Sequence, residues 1–266
     1  MYTYRLGFIG CGHMGFAIAK GICDAGKMKP QEIAVYDPSE HVQQRCAAEG
    51  FTLAKDLQEL CTDSETAVLA VTPQICDSVL ESIRTYPVHT IVSVVTGFSI
   101  AHIRSYFPDA FVVRTMPNTP LQVSCGATAL CASGNDHPDT FAYIKDLFST
   151  IGITAELPED QFDMLVGVHG STPAYFYYFT QCLLEDITAR GMDEKTARAF
   201  LVQTLIGSGK LLESDPEKPL GDFVDAVCSK GGTTIEAITW FREHGLKELV
   251  ETANGKCIDR AAQLKK

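Results

Sequence analysis

"LGFIGCGHMG", residues 6–15, runs an apolar stretch into glycines at positions 10, 12 and 15. The run "YRLGFIG" has the length and apolarity of a buried parallel strand. Behind it, "MGFAIAKGICDAG" places Met14, Ala17, Ile18, Gly21 and Ile22 on one helical face, with Gly26 as the stop. The spacing G-x-G-x-x-G therefore falls on a strand-to-helix turn. There Gly10 permits the tight turn, Gly12 removes the side chain that would block a pyrophosphate, and Gly15 lets the helix pack on the strand. Phosphates would meet unpaired N–H groups at a helix start, where the macrodipole favours negative charge. A tight turn that binds nothing is the alternative, and the flanking strand and helix favour a dinucleotide.

Working outward, strands are expected at 5–10, 32–37, 66–71, 90–95, 111–116 and 127–132, with a shorter one at 153–157. Segments such as "SEHVQQRCAAEG" and "TFAYIKDLFSTIG" between them read as helices. From "LPEDQ" onward the strand signal ends, and helical periodicity takes over in 159–190, 193–213, 220–228, 233–244 and 246–264. The expected fold class is α/β: an N-terminal Rossmann-type doubly wound sheet, mostly parallel, over 1–158, then an all-helical domain over 159–266.

An open parallel sheet binds ligands beyond the carboxyl ends of its strands. Asp37 follows the second strand, where its carboxylate would accept from an adenosine ribose and repel a 2′-phosphate, favouring NADH; "DPS" as a plain turn and helix start is the equal alternative. "VTP" at 71–73, "TGFS" at 96–99 and "MPNTP" at 116–120 follow the third, fourth and fifth strands, as linings of a cleft or as simple strand ends. In the helical half, "CSKGGTTIEAI" at 228–238 exposes backbone at Gly231 and Gly232 before Thr233 and Thr234 open a helix. Such a start can cradle a small carboxylate, or serve as an N-cap with no ligand.

Bulk properties narrow the function. The 266 residues carry a formal charge of −11, against the clustered Lys and Arg that phosphate-tracking nucleic-acid binders need. Ten cysteines at irregular spacing, with no C-x-x-C, suit reduced thiols in a cytoplasm rather than disulfides or zinc. No metal-spaced cluster, G-x-S-x-G or paired acids are evident. The N-terminus lacks a signal-peptide pattern. The stretch at 164–184 is long enough to span a bilayer but carries His169, Ser171, Thr172, Pro173 and Gln181, so a domain helix is expected and no membrane partner.

Taken together and in order, "GFIGCGHMG", "MPNTP", "GSTPAY", "SKGGTTIEAI" and "FREHGLKELV" resemble the pyrroline-5-carboxylate reductases, across essentially the whole chain. The resemblance implies an NADPH- or NADH-dependent reduction of the C=N bond of pyrroline-5-carboxylate to proline. It also implies a helical domain through which two subunits intertwine; some members assemble their dimers into decamers. Carried over by position, Gly10, Gly12 and the His13 and Met14 amides would hold the pyrophosphate, Asp37 would face the ribose, and Thr72, Pro73, Thr96 and Gly97 would line the cofactor channel. Ser229, Gly231, Gly232, Thr233 and Thr234 would bind the substrate, with Thr234 as the catalytic group at the ring nitrogen. The chain departs from the family pattern at Thr72, where members commonly have lysine, at His169 and Thr172, where they have small residues, and at Lys230. A noncatalytic nucleotide-binding paralogue, a reductase of a related cyclic imine and a hydroxyacid-type reductase are the competing readings; the last generally needs a lysine that "VGVHGSTPAY" does not offer.

Overall fold

The computed structural model describes residues 2–266. Strands and helices alternate from the start: β1 Tyr4–Ile9, α1 His13–Asp24, β2 Ile33–Tyr36, α2 Glu40–Ala48, β3 Thr52–Leu53, α3 Leu57–Asp63, β4 Ser64–Leu69 and α4 Pro73–Ile83. The run continues with β5 Thr90–Ser93, α5 Ile100–Tyr106, β6 Phe111–Met116, β7 Gly126–Ala132, α6 Pro138–Ser149 and β8 Gly152–Glu156. The strands form one sheet in the order β3-β2-β1-β4-β5-β6-β7-β8, parallel except for the antiparallel β6–β7 pair. Only residues 117–125 join β6 to β7, too few for the crossover that a parallel neighbour requires. The chain moves outward from β1 to β2 and β3, then returns to place β4 on the other side of β1. That reversal opens a crevice beyond the carboxyl ends of β1 and β4.

Apolar side chains cover both sheet faces. Phe8, Ile18, Ile22, Val35 and Phe148 belong to one cluster, and Leu69, Leu80, Ile91, Phe98 and Ile103 to another. After β8 the chain is helical, with α7 Phe162–Leu165, a π-helical turn Val166–Gly170, α8 Thr172–Ala189, α9 Glu194–Ser214, α10 Leu220–Val227, α11 Thr233–Glu243 and α12 Leu246–Gln263. The continuous helix expected over 159–190 is thus interrupted. Gly167 and Gly170 weaken the helix, Ser171 N–H reaches back five residues to the Val166 carbonyl at 2.8 Å, and Pro173 has no N–H to give. No helix of the described residues is long and apolar enough to cross a membrane.

The chain forms two compact units: one runs to Pro173 and takes in Cys257–Lys266, and the other is Ala174–Lys256. The sequence boundary at 158 marks where strands end, whereas compactness follows packing. Phe162, Leu165, Val166 and Ala261 form a third buried cluster with Met116 and Ala129, so α7 and the end of α12 belong to the sheet's unit. The second unit differs in kind. Among the described residues between Ala174 and Lys256, Ala197 alone is buried. Phe176, Tyr178, Phe200, Leu220 and Trp240 all stand more than half exposed.

Candidate functional site

The glycine turn sits at the crevice. Gly10 has φ +80°, and a Cβ there would come within 2.8 Å of Val71 and 3.0 Å of the Ala70 carbonyl. At Gly15 a Cβ would meet the Gly10 carbonyl at 3.0 Å and the Ala70 methyl at 3.1 Å, which is where α1 presses on the strands. A Cβ on Gly12 would meet nothing within 4 Å. One glycine thus serves the turn, one serves the packing, and Gly12 keeps open space clear above the start of α1. The first helical hydrogen bond is donated by Phe16 N–H to the Gly12 carbonyl at 3.1 Å, so the N–H groups of His13, Met14 and Gly15 precede the helical ladder. A bare backbone bend with free N–H groups fits a pyrophosphate.

The second βα unit holds the turn. Gly10 N–H donates to the Tyr36 carbonyl at 2.9 Å, and Cys11 N–H to Asp37 Oδ2 at 2.9 Å. Asp37 Oδ1 accepts from Ser39 N–H at 3.0 Å. Asp37 thus stands just past β2 and organises both the glycine turn and the turn before α2. From α2, the Arg45 guanidinium donates to the carbonyls of Cys11 at 2.7 Å and Gly12 at 3.1 Å, and stacks over the Phe16 ring at 4.1 Å. The Cys11 thiol is buried and its pKa pushed far up, first by its hydrogen bond with Cys46 and then by burial. Burial likewise pushes Cys61 and Cys76 up to about 12.

Beside the turn lies a cavity of about 210 Å³ whose walls include Met14, Pro73, Thr96, Arg114, Met116 and Pro117. Met14, Pro73 and Thr96 were expected at the cofactor. Thr72 is exposed at the N-cap of α4 without a side-chain cap bond. Gly97, with φ +82°, is not among the walls. It is buried against Leu264, whose carbonyl oxygen would lie 2.6 Å from an added Cβ, and its own carbonyl accepts from Lys266 N–H at 2.7 Å. Arg114 was not anticipated. It is 2% exposed, its Nη1 is 3.0 Å from Glu159 Oε1, and its guanidinium lies 4.8 Å from the Phe162 ring centre. Glu159 Oε1 also accepts Ile100 N–H at 2.7 Å, at the start of α5. A charge inside the apolar strand "FVVRTM" was the available signal, because a buried guanidinium requires a partner. His169 Nε2 lies 2.8 Å from the Met116 carbonyl, and Asn118 donates to the His169 carbonyl at 3.2 Å, so the π-helical turn is fastened to the end of β6.

In the second unit, Ser229, Gly231, Gly232, Thr233 and Thr234 lie on one bend. Gly231 has φ +72°, Gly232 is the N-cap of α11, and Gly232 N–H donates to the Ser229 carbonyl at 2.9 Å. Gly232 has no side chain with which to cap α11, and no side-chain cap bond replaces it, which leaves the first N–H groups of α11 for an acceptor from elsewhere. Thr234 is half-buried, whereas Ser229, Lys230 and Thr233 are exposed.

Comparison with known proteins bears on both units. Residues 5–97 match the family described as NADP oxidoreductase coenzyme F420-dependent, and residues 159–264 match Pyrroline-5-carboxylate reductase dimerisation. Pyrroline-5-carboxylate reductase of Escherichia coli (strain K12) is 33% identical over 266 residues, spanning 98% of each chain. That of Synechocystis is 32% identical over 271 residues, spanning 99% of each. The crystal structure of Plasmodium falciparum pyrroline carboxylate reductase with NADP bound superimposes with a TM-score of 0.90 at 26% identity, covering 100% of both chains.

Proposed function

The chain belongs to the pyrroline-5-carboxylate reductases, and from that membership we propose how its residues share the work. It is an oxidoreductase that uses NAD(P)H to reduce the C=N bond of 1-pyrroline-5-carboxylate, giving L-proline in the last step of proline biosynthesis. The observation that carries this reading is similarity running through both units, over 98% of the chain, rather than through the nucleotide-binding half alone.

The reduced nicotinamide supplies a hydride to the imine carbon, and the ring nitrogen ends protonated. A protonated imine is already a strong electrophile, so positioning and exclusion of water supply most of the effect. Gly10, Gly12 and the amides of His13 and Met14 bind the pyrophosphate. Asp37 accepts from the adenosine ribose. Thr72, Pro73, Thr96 and Gly97 belong to the cofactor channel, Gly97 by shaping the turn that carries Thr96. On the substrate side, the Ser229–Thr234 bend takes the carboxylate on free N–H groups and hydroxyls, and the Thr234 hydroxyl bonds the ring nitrogen. Residues 159–266 form the dimerisation and substrate domain after a nucleotide-binding domain of 1–158. The chain self-associates, with the dimer as its unit and the decamer as a higher assembly. The exposed aromatic faces of α8, α9 and α11 support this. A cytoplasmic setting accords with ten free cysteines, four of them buried.

Cofactor choice follows from Asp37. Its carboxylate is fixed by two backbone N–H groups just past β2, where it would face the adenosine ribose and repel a 2′-phosphate, and Arg45 is engaged by the turn carbonyls. That combination favours NADH. The test is loss of nicotinamide absorbance with pyrroline-5-carboxylate and either cofactor, with proline identified as product. Oxidation of both, faster with NADH at equal concentration, is expected. No oxidation of either would reject the reductase reading in favour of a noncatalytic paralogue.

A further inference from the structure

Arg45 lies outside the glycine motif, 30 residues beyond Gly15, yet it touches the motif at two consecutive peptide groups. Its Nη2 donates to the Cys11 carbonyl at 2.7 Å and to the Gly12 carbonyl at 3.1 Å. In a trans peptide the C=O of one residue and the N–H of the next point in opposite directions. Pinning the Cys11 carbonyl therefore fixes the direction of Gly12 N–H, and pinning the Gly12 carbonyl fixes that of His13 N–H. Both N–H groups are turned away from the guanidinium. They belong to the stretch where a Cβ on Gly12 would meet nothing within 4 Å.

The guanidinium is itself held in place. It stacks over Phe16 at 4.1 Å, and Phe16 packs edge-on to Phe51 at 6.2 Å. On the other side, Cys11 N–H is fixed to Asp37 Oδ2 at 2.9 Å. Cys11 thus has both its donor and its acceptor anchored by the β2–α2 segment. Hydrogen bonds from a cation also polarise the two peptide groups, making their N–H ends better donors to an anion.

We propose that Arg45 is a positioning residue for the cofactor: by holding the Cys11 and Gly12 carbonyls it aims the Gly12 and His13 N–H groups at the pyrophosphate, without touching the nucleotide. This inference rests on the dinucleotide reading of the glycine turn. It differs from a 2′-phosphate contact, which would make Arg45 matter to NADPH alone. It also differs from a simple charge effect, which any cation at that place would reproduce.

The experiment measures NADH and NADPH dissociation constants by fluorescence titration, together with the imine KM and the cofactor-free Tm, for the wild type, Arg45→Met and Arg45→Lys. Methionine keeps apolar contact with Phe16 but has no donor. Lysine keeps the charge but not the planar guanidinium, whose stacking over Phe16 directs the single Nη2 at both carbonyls. Arg45→Met is expected to weaken both cofactors by a similar factor, about tenfold to a hundredfold for loss of charge-assisted bonds. The cofactor-free Tm should fall by a few degrees, because the same bonds hold the turn without nucleotide; imine KM should be nearly unchanged, and Arg45→Lys should recover only part of the affinity. Unchanged cofactor affinity in Arg45→Met, a loss confined to NADPH, or full recovery in Arg45→Lys would each overturn the proposal. If Arg45→Met does not fold, Arg45→Lys alone decides, since wild-type affinity in it refutes the role. Failure of the wild type to bind either nucleotide would instead overturn the cofactor reading, and this inference with it.

Discussion

The two glycine-rich helix starts proposed to carry the chemistry are built differently. The bend at Gly10–Gly15 and the bend at Ser229–Thr234 each hold a glycine with positive φ, +80° at Gly10 and +72° at Gly231, followed by a helix with free N–H groups. The first is fastened on every side, by Tyr36, Asp37 and Arg45 and by the close approach of Ala70 and Val71. The second has one backbone bond, Gly232 to Ser229, and mostly exposed side chains. The difference follows from the units that hold them. The sheet encloses its own core, whereas Ala174–Lys256 buries a single residue among those described. A unit that leaves Phe176, Tyr178, Phe200 and Trp240 in water needs a second surface to cover them. The bend proposed for the cofactor is organised within one chain, and the bend proposed for the substrate would be organised by association.

The most forceful way to break this contrast is to charge the open face. Phe200, 66% exposed on α9, loses only partial packing beside Leu183 and Ile187 in a lone chain when replaced by glutamate. If a second copy covers it, an unpaired buried carboxylate costs about 3–5 kcal/mol per site, and twofold symmetry presents the site twice. Phe200→Glu should therefore shift the species seen by light scattering toward monomer and depress imine turnover, with NADH affinity retained. An unchanged assembly would mean that this face is not the interface and that the substrate bend is organised without it.

A crossed pair of substitutions sharpens the contrast by one step less. Gly12→Val adds a side chain where no protein atom stands within 4 Å, so folding should survive while the nucleotide is pushed off its donors. Cofactor affinity is expected to fall about a hundredfold, the effect of losing charge-assisted bonds to the pyrophosphate. Thr234→Ala removes one hydroxyl, and kcat/KM for the imine should fall about tenfold through loss of a bond to a charged group, with cofactor affinity unchanged. Cofactor titration and steady-state kinetics on both variants read out the crossing. If both substitutions moved the same parameter, the two bends would not be doing separate jobs.

What could be read from the residues, and what could not, divides along the same line. The glycine spacing was legible because it answers a local demand of the backbone: one positive φ, one close packing, one clear space. Seven strands followed from short apolar runs, with edges within two residues of those observed, whereas β3, two residues at Thr52–Leu53, offers no run to see. Helices α9 to α12 followed from periodicity. The π-helical turn did not, since its anchor, His169 on the Met116 carbonyl, joins residues 53 apart. Arg45 and the Cys11 carbonyl are 34 apart, and nothing local in "HVQQRCAAEG" says which way that side chain turns. The channel role expected of Gly97 was likewise modified by a distant segment, the Leu264 carbonyl.

That distant segment yields the smallest effect, and one with a definite sign. Lys266 Nζ bonds Asp77 Oδ2, and His102 Nε2 lies 2.7 Å from Asp77 Oδ1. The Lys266 bond, followed by that of His102, holds the Asp77 carboxyl below its ordinary value of 3.8. A carboxyl depressed in the folded state releases its proton more readily there than in the unfolded chain. Its contribution is therefore complete above the ordinary value and is lost as pH falls through the depressed one. Asp77→Asn should lower Tm near neutral pH, and the gap from wild type should close on titration below about pH 4. Because the pair is 36% and 45% exposed, solvent screens it, and the shift should not exceed about 2 °C. Cofactor affinity should respond more than Tm if the segment that covers Gly97 also steadies Thr96 at the cavity. A gap that persisted at pH 2 would assign the loss to packing around His102 and Tyr106 instead of to the ion pair.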